Sequence, residues 1–363
     1  MGPRASRCST RPRRLSRRSA QESHPRRPDE INRIQYSRRE KVKRRVFLSS
    51  AVLVAAIAAS AHAKAAELNF GIISTESTQN LKANWTPLLA DMQKATGIKV
   101  NAFFAPDYAG IIEAMRFNKV QVAWFGNKSA IEAVDRSNGE VFAKTVGKDG
   151  TEGYYSLIVV RNDSKLKSLD EVLAHRKELK FGFGDPNSTS GTVVPGYYAF
   201  ALNKIDPVKD FKRTVRSNHE TNLLAVVSGQ VDAATNNTEN LERFSRSHPD
   251  KAKLVREVWR SPIIPSDPLV WRKDLDPAMK AKVRDFLLAY GKGGNELKVL
   301  HGLNLGGFKS SSDRQLVTIR QLELVKAKTK LQADKKLAAE ERDRRIREIE
   351  SKLDALREKV AKK

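Results

Sequence analysis

Leu68-Asn69-Phe70-Gly71-Ile72-Ile73 decides how this chain is read. It has the make-up of a first strand, and the Ser/Thr-rich run Ser74-Thr75-Glu76-Ser77-Thr78 ends it in a turn. Residues 80–96 follow as a helical stretch. Ile98-Lys99-Val100-Asn101-Ala102-Phe103-Phe104 alternates like a second strand, residues 108–118 are helical, and residues 120–124 give a third strand. Strand–helix–strand–helix–strand is the rhythm of an α/β lobe with a mainly parallel sheet. The rhythm restarts further on. Strands are expected at 156–160, 180–184 and 231–234. Ser168-Leu169-Asp170-Glu171 carries a capping signature for a short helix, and further helices are expected over 192–203 and 222–228. Two similar α/β lobes result. Such lobes bind ligands at the carboxyl ends of their strands, so a cleft between them is a natural site.

After about Ser312 the pattern changes to one long charged helix. Ile346, Ile349, Leu353, Leu356 and Val360 follow the 3-4 spacing of a heptad seam. Two heptads leave two readings open: a helix lying back on the body, or a contact between copies of the chain.

The 363 residues carry 67 Lys and Arg against 42 Asp and Glu, a formal charge of +25. A charge of that size ordinarily points to nucleic acid or an anionic surface. Its distribution argues otherwise. Residues 1–45 alone hold 16 basic and 4 acidic residues, and residues 322–363 hold 14 and 9. The middle is only modestly basic, and no basic stripe interleaved with aromatics crosses it. We therefore expect no nucleic-acid partner. Cys8 is the only cysteine and lies in the N-terminal tail, so the body can hold no disulfide and no cysteine-based zinc site.

Lys43-Arg44-Arg45 precedes an apolar run over 46–60 and then Ala61-His62-Ala63. A basic start, a short apolar stretch and an A-x-A site make an export signal over 42–63, cleaved after Ala63. The run is too short and too alanine-rich for a comfortable membrane span. No cysteine follows it to carry a lipid anchor. Arg44-Arg45-Val46-Phe47-Leu48 resembles a twin-arginine signal, but Lys43 stands where serine is usual, so the general export route is the favoured reading. Residues 1–41 are rich in Arg, Ser and Pro and cannot fold alone. They read as a basic tail or as a start site placed too far upstream, with Val42 as the true beginning.

Gly184-Asp185-Pro186-Asn187-Ser188-Thr189-Ser190-Gly191 is the strongest site signal. It follows a strand and precedes a helix. Three consecutive hydroxyl residues at a helix start present hydroxyls and free N–H groups together, and the helix dipole adds partial positive charge. That combination holds a tetrahedral oxyanion without a counter-cation. Plain capping needs one hydroxyl, so three with a glycine point to a ligand. Two other patterns fail. In Gly182-Phe183-Gly184-Asp185-Pro186-Asn187 an Asn replaces the third glycine of a dinucleotide fingerprint, and Gly126-Asn127-Lys128-Ser129 lacks the upstream glycine of a P-loop. Neither a G-x-S-x-G elbow nor an H-E-x-x-H helix occurs.

Asn69 through Glu76, Phe103-Phe104-Ala105-Pro106-Asp107-Tyr108-Ala109-Gly110, and Asp185 through Gly191 resemble the substrate-binding proteins of phosphonate ABC transporters, the PhnD family. So do His219-Glu220-Thr221-Asn222, Asn236-Asn237-Thr238-Glu239-Asn240 and Ser261-Pro262-Ile263-Ile264-Pro265. The resemblance runs from about Leu68 through the C-terminal helix. It implies a type II-like, two-lobed periplasmic binding protein fold that closes by a hinge and carries a long C-terminal helix. On that reading residues 64–154 begin lobe 1, 155–262 form lobe 2, 263–312 return to lobe 1 and 313–363 are a helical extension. The resemblance further implies periplasmic location, an ABC permease as partner and no enzymatic activity, catalytic residue, cofactor or metal. A homodimer through the C-terminal helix is a further expectation.

Carried across by motif, Tyr108, Ser188, Thr189, Ser190 and His219 would hold the phosphonate. Tyr154, Glu239 and Asp267 would hold the ammonium of 2-aminoethylphosphonate. The bland alternatives are loop caps for the two carboxylates, a surface histidine, and packing tyrosines. Two carboxylates in a closed cleft are costly unless a cation meets them, which favours an amine-bearing ligand over methylphosphonate. Phosphite, phosphate esters and sulfonates are rival ligands without that amine. A phosphoryl-transfer enzyme, the rival of another class, would need a metal cluster or a nucleophile–base pair. One position departs from the family pattern: Phe125 stands in Trp124-Phe125-Gly126-Asn127 where tyrosine is expected. It raises the question whether ligand range differs here.

Overall fold

The computed structural model describes residues 66–361, with side chains given as far as residue 358. The basic tail 1–41 and the export signal 42–63, with its cleavage site, lie outside the described residues. Within them the strands are β1 (Glu67–Ile72), β2 (Lys99–Phe104), β3 (Val122–Trp124), β4 (Gly139–Gly147), β5 (Gly153–Tyr154), β6 (Ser156–Arg161) and β7 (Lys180–Gly184). Then come β8 (Arg213–Ser217), β9 (Ala233–Asn237), β10 (Val255–Arg260), β11 (Ile264–Pro265), β12 (Pro268–Arg272) and β13 (Leu305–Ser310).

Two main sheets follow, one per lobe. The first runs β13-β4-β12-β3-β1-β2 and the second β10-β6-β9-β7-β8. In the first, β1 lies parallel to β2 and β3, as a strand–helix–strand rhythm requires. In the second, β7 lies parallel to β8 and β9. The remaining pairings are antiparallel. Both sheets are thus mixed, which corrects the expectation of mainly parallel ones. The reason is connectivity: β6 and β12 enter their sheets from the other lobe, with no helical crossover to reverse them. The two lobes share one plan. Each sets its parallel strands in the order second, first, third, and seats the incoming strand beside the third. The two chain crossings also pair with each other, as Tyr154 of β5 sits opposite Ile264 of β11.

Alternation sets the cores. Leu68, Phe70 and Ile72 of β1 are fully buried, and the rings of Phe70, Trp85 and Trp124 pack in a tilted series at 5.6 and 5.1 Å. The second lobe centres on Phe181, Phe183, Phe200 and Phe211.

Local boundaries differ from expectation where capping decides them. The helix His219–Val227 starts three residues earlier than its apolar pattern suggests, because the Asn218 side chain accepts from Thr221 N at 2.8 Å. The third strand of the second lobe is 233–237 rather than 231–234. The helix expected over 192–203 begins at Thr189. It is π-wound over Thr189–Val193 and Gly196–Phe200 and tightens to 3₁₀ at Ala201–Asn203.

The C-terminal region is two helices, Val317–Ala333 and Ala339–Ala361, not one. Asp334 ends the first; its side chain accepts from Lys336 N at 2.9 Å in a local turn that competes with the helix. The second helix packs back on the first. Lys328 meets Glu350 at 2.6 Å, and Leu353 of the heptad seam is 7% exposed. Ile346, Ile349 and Leu356 are half-buried; the side chain of Val360 lies outside the described residues. The Val317–Ala333 helix in turn touches both lobes. Arg320 binds Asp135 through two 2.6 Å bonds, Glu323 meets Lys128 at 2.7 Å, and Lys326 lies over Gly196 of the second lobe.

Removing the Leu353 side chain takes away the main apolar anchor of this helical hairpin. Leu353→Ala is expected to cost about 2 kcal/mol or more locally. Amide exchange should speed up across residues 339–361 while the two sheets keep their protection. Unchanged exchange there would refute the anchoring role.

Candidate functional site

The hydroxyl loop is built by a chain of local bonds. Past β7, Asp185 Oδ1 accepts from Asn187 N at 2.7 Å, and Ser188 Oγ caps the next helix by accepting from Gly191 N at 3.0 Å. Gly184 and Gly191 touch backbone to backbone. A Cβ on Gly184 would lie 2.5 Å from Gly191 Cα, so no larger residue fits without moving the loop. Pro195 has no N–H to give to the carbonyl four residues back, which favours the wide π winding. The carbonyls released are taken by hydroxyls of the sheet: Ser156 donates to Ser190 O at 2.6 Å and Thr235 to Gly191 O at 2.9 Å. The loop is thereby fastened to β6 and β9.

Ser188, Thr189 and Ser190 are all buried, and His219 faces them. Its Nε2 lies 3.4 Å from Ser188 Oγ and 3.5 Å from Ser190 Oγ. Asn237 fixes the imidazole. Its Oδ1 accepts from Asn240 N at 2.7 Å, which turns the Nδ2 toward Ser190 Oγ at 3.0 Å and His219 Nε2 at 3.2 Å. Burial, with Arg243 nearby, pushes the His219 pKa down to about 3, so the ring is neutral at pH 7. Its buried Nδ1 has no hydrogen-bond partner.

Tyr108 reaches the same loop from the first lobe. It is the first residue of the Tyr108–Arg116 helix, capped by Asp107, and its hydroxyl bonds to Ser188. Burial, and the charges of Asp185 and Asp267, hold that phenol protonated.

The acidic end comes from the two chain crossings and one helix start. Tyr154, on the outgoing crossing, donates to Asp267 Oδ1 at 3.0 Å, just past the returning one. Glu239 is the second residue of the Thr238–Ser247 helix. Burial, then proximity to Glu239, raises the Asp267 pKa well above the ordinary carboxyl range; burial likewise raises that of Glu239.

All eight residues singled out in the sequence line one enclosed space between the lobes. Thr75, Asn237 and Arg243 line it too and were not expected. Thr75 Oγ1 is buried without a partner, a free hydroxyl from the first lobe. Arg243 forms a buried ion pair with Glu76 across the lobes. Its spacing of four from Glu239 on a helix was a signal available in the sequence. Thr189 has a second task, because its Oγ1 accepts from Lys128 N of the first lobe at 2.9 Å. Phe125 is fully buried in the first-lobe core and does not line the cavity, so a hydroxyl missing from its ring is not missing from the cavity wall. Gly126 to Ser129 is a helix cap, in which Ser129 Oγ accepts from Gly126 N at 3.0 Å. Among the described residues no three His, Cys, Asp or Glu side chains gather in a metal-holding group.

Hydroxyl groups and two carboxyls thus line one cavity. Residues 70–316 match the family model for the ABC transporter, phosphonate, periplasmic substrate-binding protein. The chain belongs to this family. It is 56% identical over 298 residues to the phosphonates-binding periplasmic protein of Escherichia coli (strain K12), covering 82% of this chain and 88% of that one. A binding protein component of an ABC phosphonate transporter from Pseudomonas aeruginosa superposes with a TM-score of 0.81 at 53% identity, covering 82% of this chain and 99% of that one. A Prochlorococcus marinus (MIT 9301) protein in complex with methylphosphonate shares the fold, with a TM-score of 0.65 at 22% identity, covering 72% of this chain and 98% of that one. As a member of this family, the chain is a periplasmic binding protein that acts with an ABC transporter, and not an enzyme.

The acidic end also carries a stability cost. A carboxyl whose pKa is raised in the folded protein binds its proton more tightly there than in the unfolded chain. Its contribution to stability is full below the unfolded value of 3.8 and is lost as pH rises through the folded value. Asp267→Asn removes that loss and keeps an acceptor for Tyr154. The ligand-free variant should therefore melt higher than wild type at neutral pH, with a gain that grows from pH 4 upward. A lower melting temperature at pH 7.5 would contradict this.

Proposed function

We propose that this protein captures 2-aminoethylphosphonate and presents it to its importer. The supporting observation is the two-ended cavity. Ser188, Thr189 and Ser190, with Tyr108 and His219, supply neutral donors for the phosphonate oxygens. Opposite them, Glu239 and Asp267 with Tyr154 supply a place for a cation. Charge-assisted hydrogen bonds contribute roughly 1.5–3 kcal/mol each, so most of the affinity comes from the hydroxyl loop. The acidic end then selects among phosphonates. Burial raises the pKa of both carboxyls, so an arriving ammonium favours their ionised form and expels any proton they hold.

Calorimetry tests both ends. Ser188→Ala should weaken 2-aminoethylphosphonate binding by about 10–100-fold, matching one lost charge-assisted bond. Wild-type protein should bind methylphosphonate, phosphite, phosphate esters and sulfonates far more weakly. Across buffers of different ionisation enthalpy, 2-aminoethylphosphonate should release more protons than methylphosphonate does. Equal affinity for the amine-free ligands would remove Glu239 and Asp267 from ligand recognition.

The same proposal includes the lobe division at 64–154, 155–262 and 263–312, with the hinge at the paired crossings β5 and β11. It also includes export by residues 42–63. Sequencing the mature N-terminus should begin at Lys64, and a start far from it would overturn the leader assignment. Association through the 339–361 helix is left out, because Leu353 of its seam is already buried within the chain.

A further inference from the structure

Arg243 has two acidic neighbours, and they lie on different lobes. Glu76 stands in the turn after β1, on the first lobe, and accepts from Arg243 Nε. Glu239 stands on the second lobe, one turn before Arg243 on the same helix, and shares the cavity lining with it. A Glu–Arg pair at that spacing is a natural partnership along a helix. Yet Arg243 bonds across the cleft, and Glu239 is left beside Asp267. Glu76 and Arg243 are 6% and 9% exposed. A buried charge without its partner is strongly unfavourable. When the lobes part, Arg243 loses Glu76 and must pair within its own lobe, where Glu239 is in reach.

We propose that Arg243 is a closure latch that reads the amine end of the ligand. In the open protein Arg243 is held by Glu239. A ligand ammonium that engages Glu239 and Asp267 displaces it, and Arg243 crosses to Glu76 and locks the lobes. A ligand without a cation leaves Glu239 holding Arg243 back. The charge count favours this order. The closed cleft sets three carboxyl groups, Glu76, Glu239 and Asp267, against one guanidinium, and the ammonium is the second cation. Other bonds between the lobes do not report on ligand charge. Glu220, for instance, accepts from Ser77 N and Asn80 Nδ2 at 2.6 Å each, away from the acidic end. The latch rests on the aminophosphonate reading above. It adds a positioning residue that makes closure itself selective.

Stopped-flow tryptophan fluorescence tests it, because Trp85 and Trp124 lie beside the cleft. Ligand dissociation is followed for 2-aminoethylphosphonate and methylphosphonate. Glu76→Gln should speed release of the amino compound about tenfold or more while leaving methylphosphonate nearly unchanged. Glu239→Gln keeps the bridge and frees Arg243, so it should slow methylphosphonate release, and the double variant should lose that effect. A general loosening would instead speed both ligands by the same factor, and that result overturns the latch. Methylphosphonate release no slower from Glu239→Gln than from wild type also overturns it. Equal release of the two ligands from wild type would sink the aminophosphonate reading and the latch together. A wild-type preference whose size Glu76→Gln leaves unchanged would sink the latch alone.

Discussion

Carboxyl groups shut away from water between two lobes constrain everything around them. Asp267 and Glu239 are buried away from water, and that burial raises the pKa of both. Tyr154 offsets part of that cost with a hydrogen bond, and the nearby Arg243 guanidinium offsets more. The hydroxyl end is built mainly of neutral groups, with the Arg243 guanidinium near its histidine. Hydroxyls, helix N–H groups and a neutral imidazole line it.

The first lobe was legible because β1 carries its apolar residues where the pleat needs them, and Phe70, Trp85 and Trp124 then follow. The hydroxyl loop was legible because three adjacent hydroxyls exceed what a cap requires. Other features were not readable, each for a physical reason. The antiparallel strands β6 and β12 depend on where the chain crosses between lobes, which no local pattern records. The break at Asp334 has neither glycine nor proline to announce it. The bridge from Arg243 to Glu76 spans 167 residues of sequence, and short-range spacing only hints at its other partner, Glu239. The π winding after Ser188 follows from Pro195 together with hydroxyls on two distant strands.

Closure and recognition are also linked through the backbone. Tyr154 and Asp267 lie at the two crossings, so this hydrogen-bonded pair sits on the segments that join the lobes. Thr189 binds Lys128 N of the opposite lobe while its neighbours face the cavity. The Val317–Ala333 helix is bonded to the first lobe through Asp135 and Lys128, and its Lys326 lies against Gly196 of the second.

The sheet-borne carbonyl bonds of Ser190 and Gly191 divide the pocket into a fixed part and an adjustable part. The hydroxyl loop is fastened to β6 and β9 by Ser156 and Thr235, and a Cβ at Gly184 would collide with the Gly191 backbone. The acidic end is made of side chains on a helix start and a strand approach. New ligands can therefore arise by exchanging Glu239 and Asp267 while the cradle stays as it is. One scaffold can diversify over the tails its cargo carries and stay conservative about the head group.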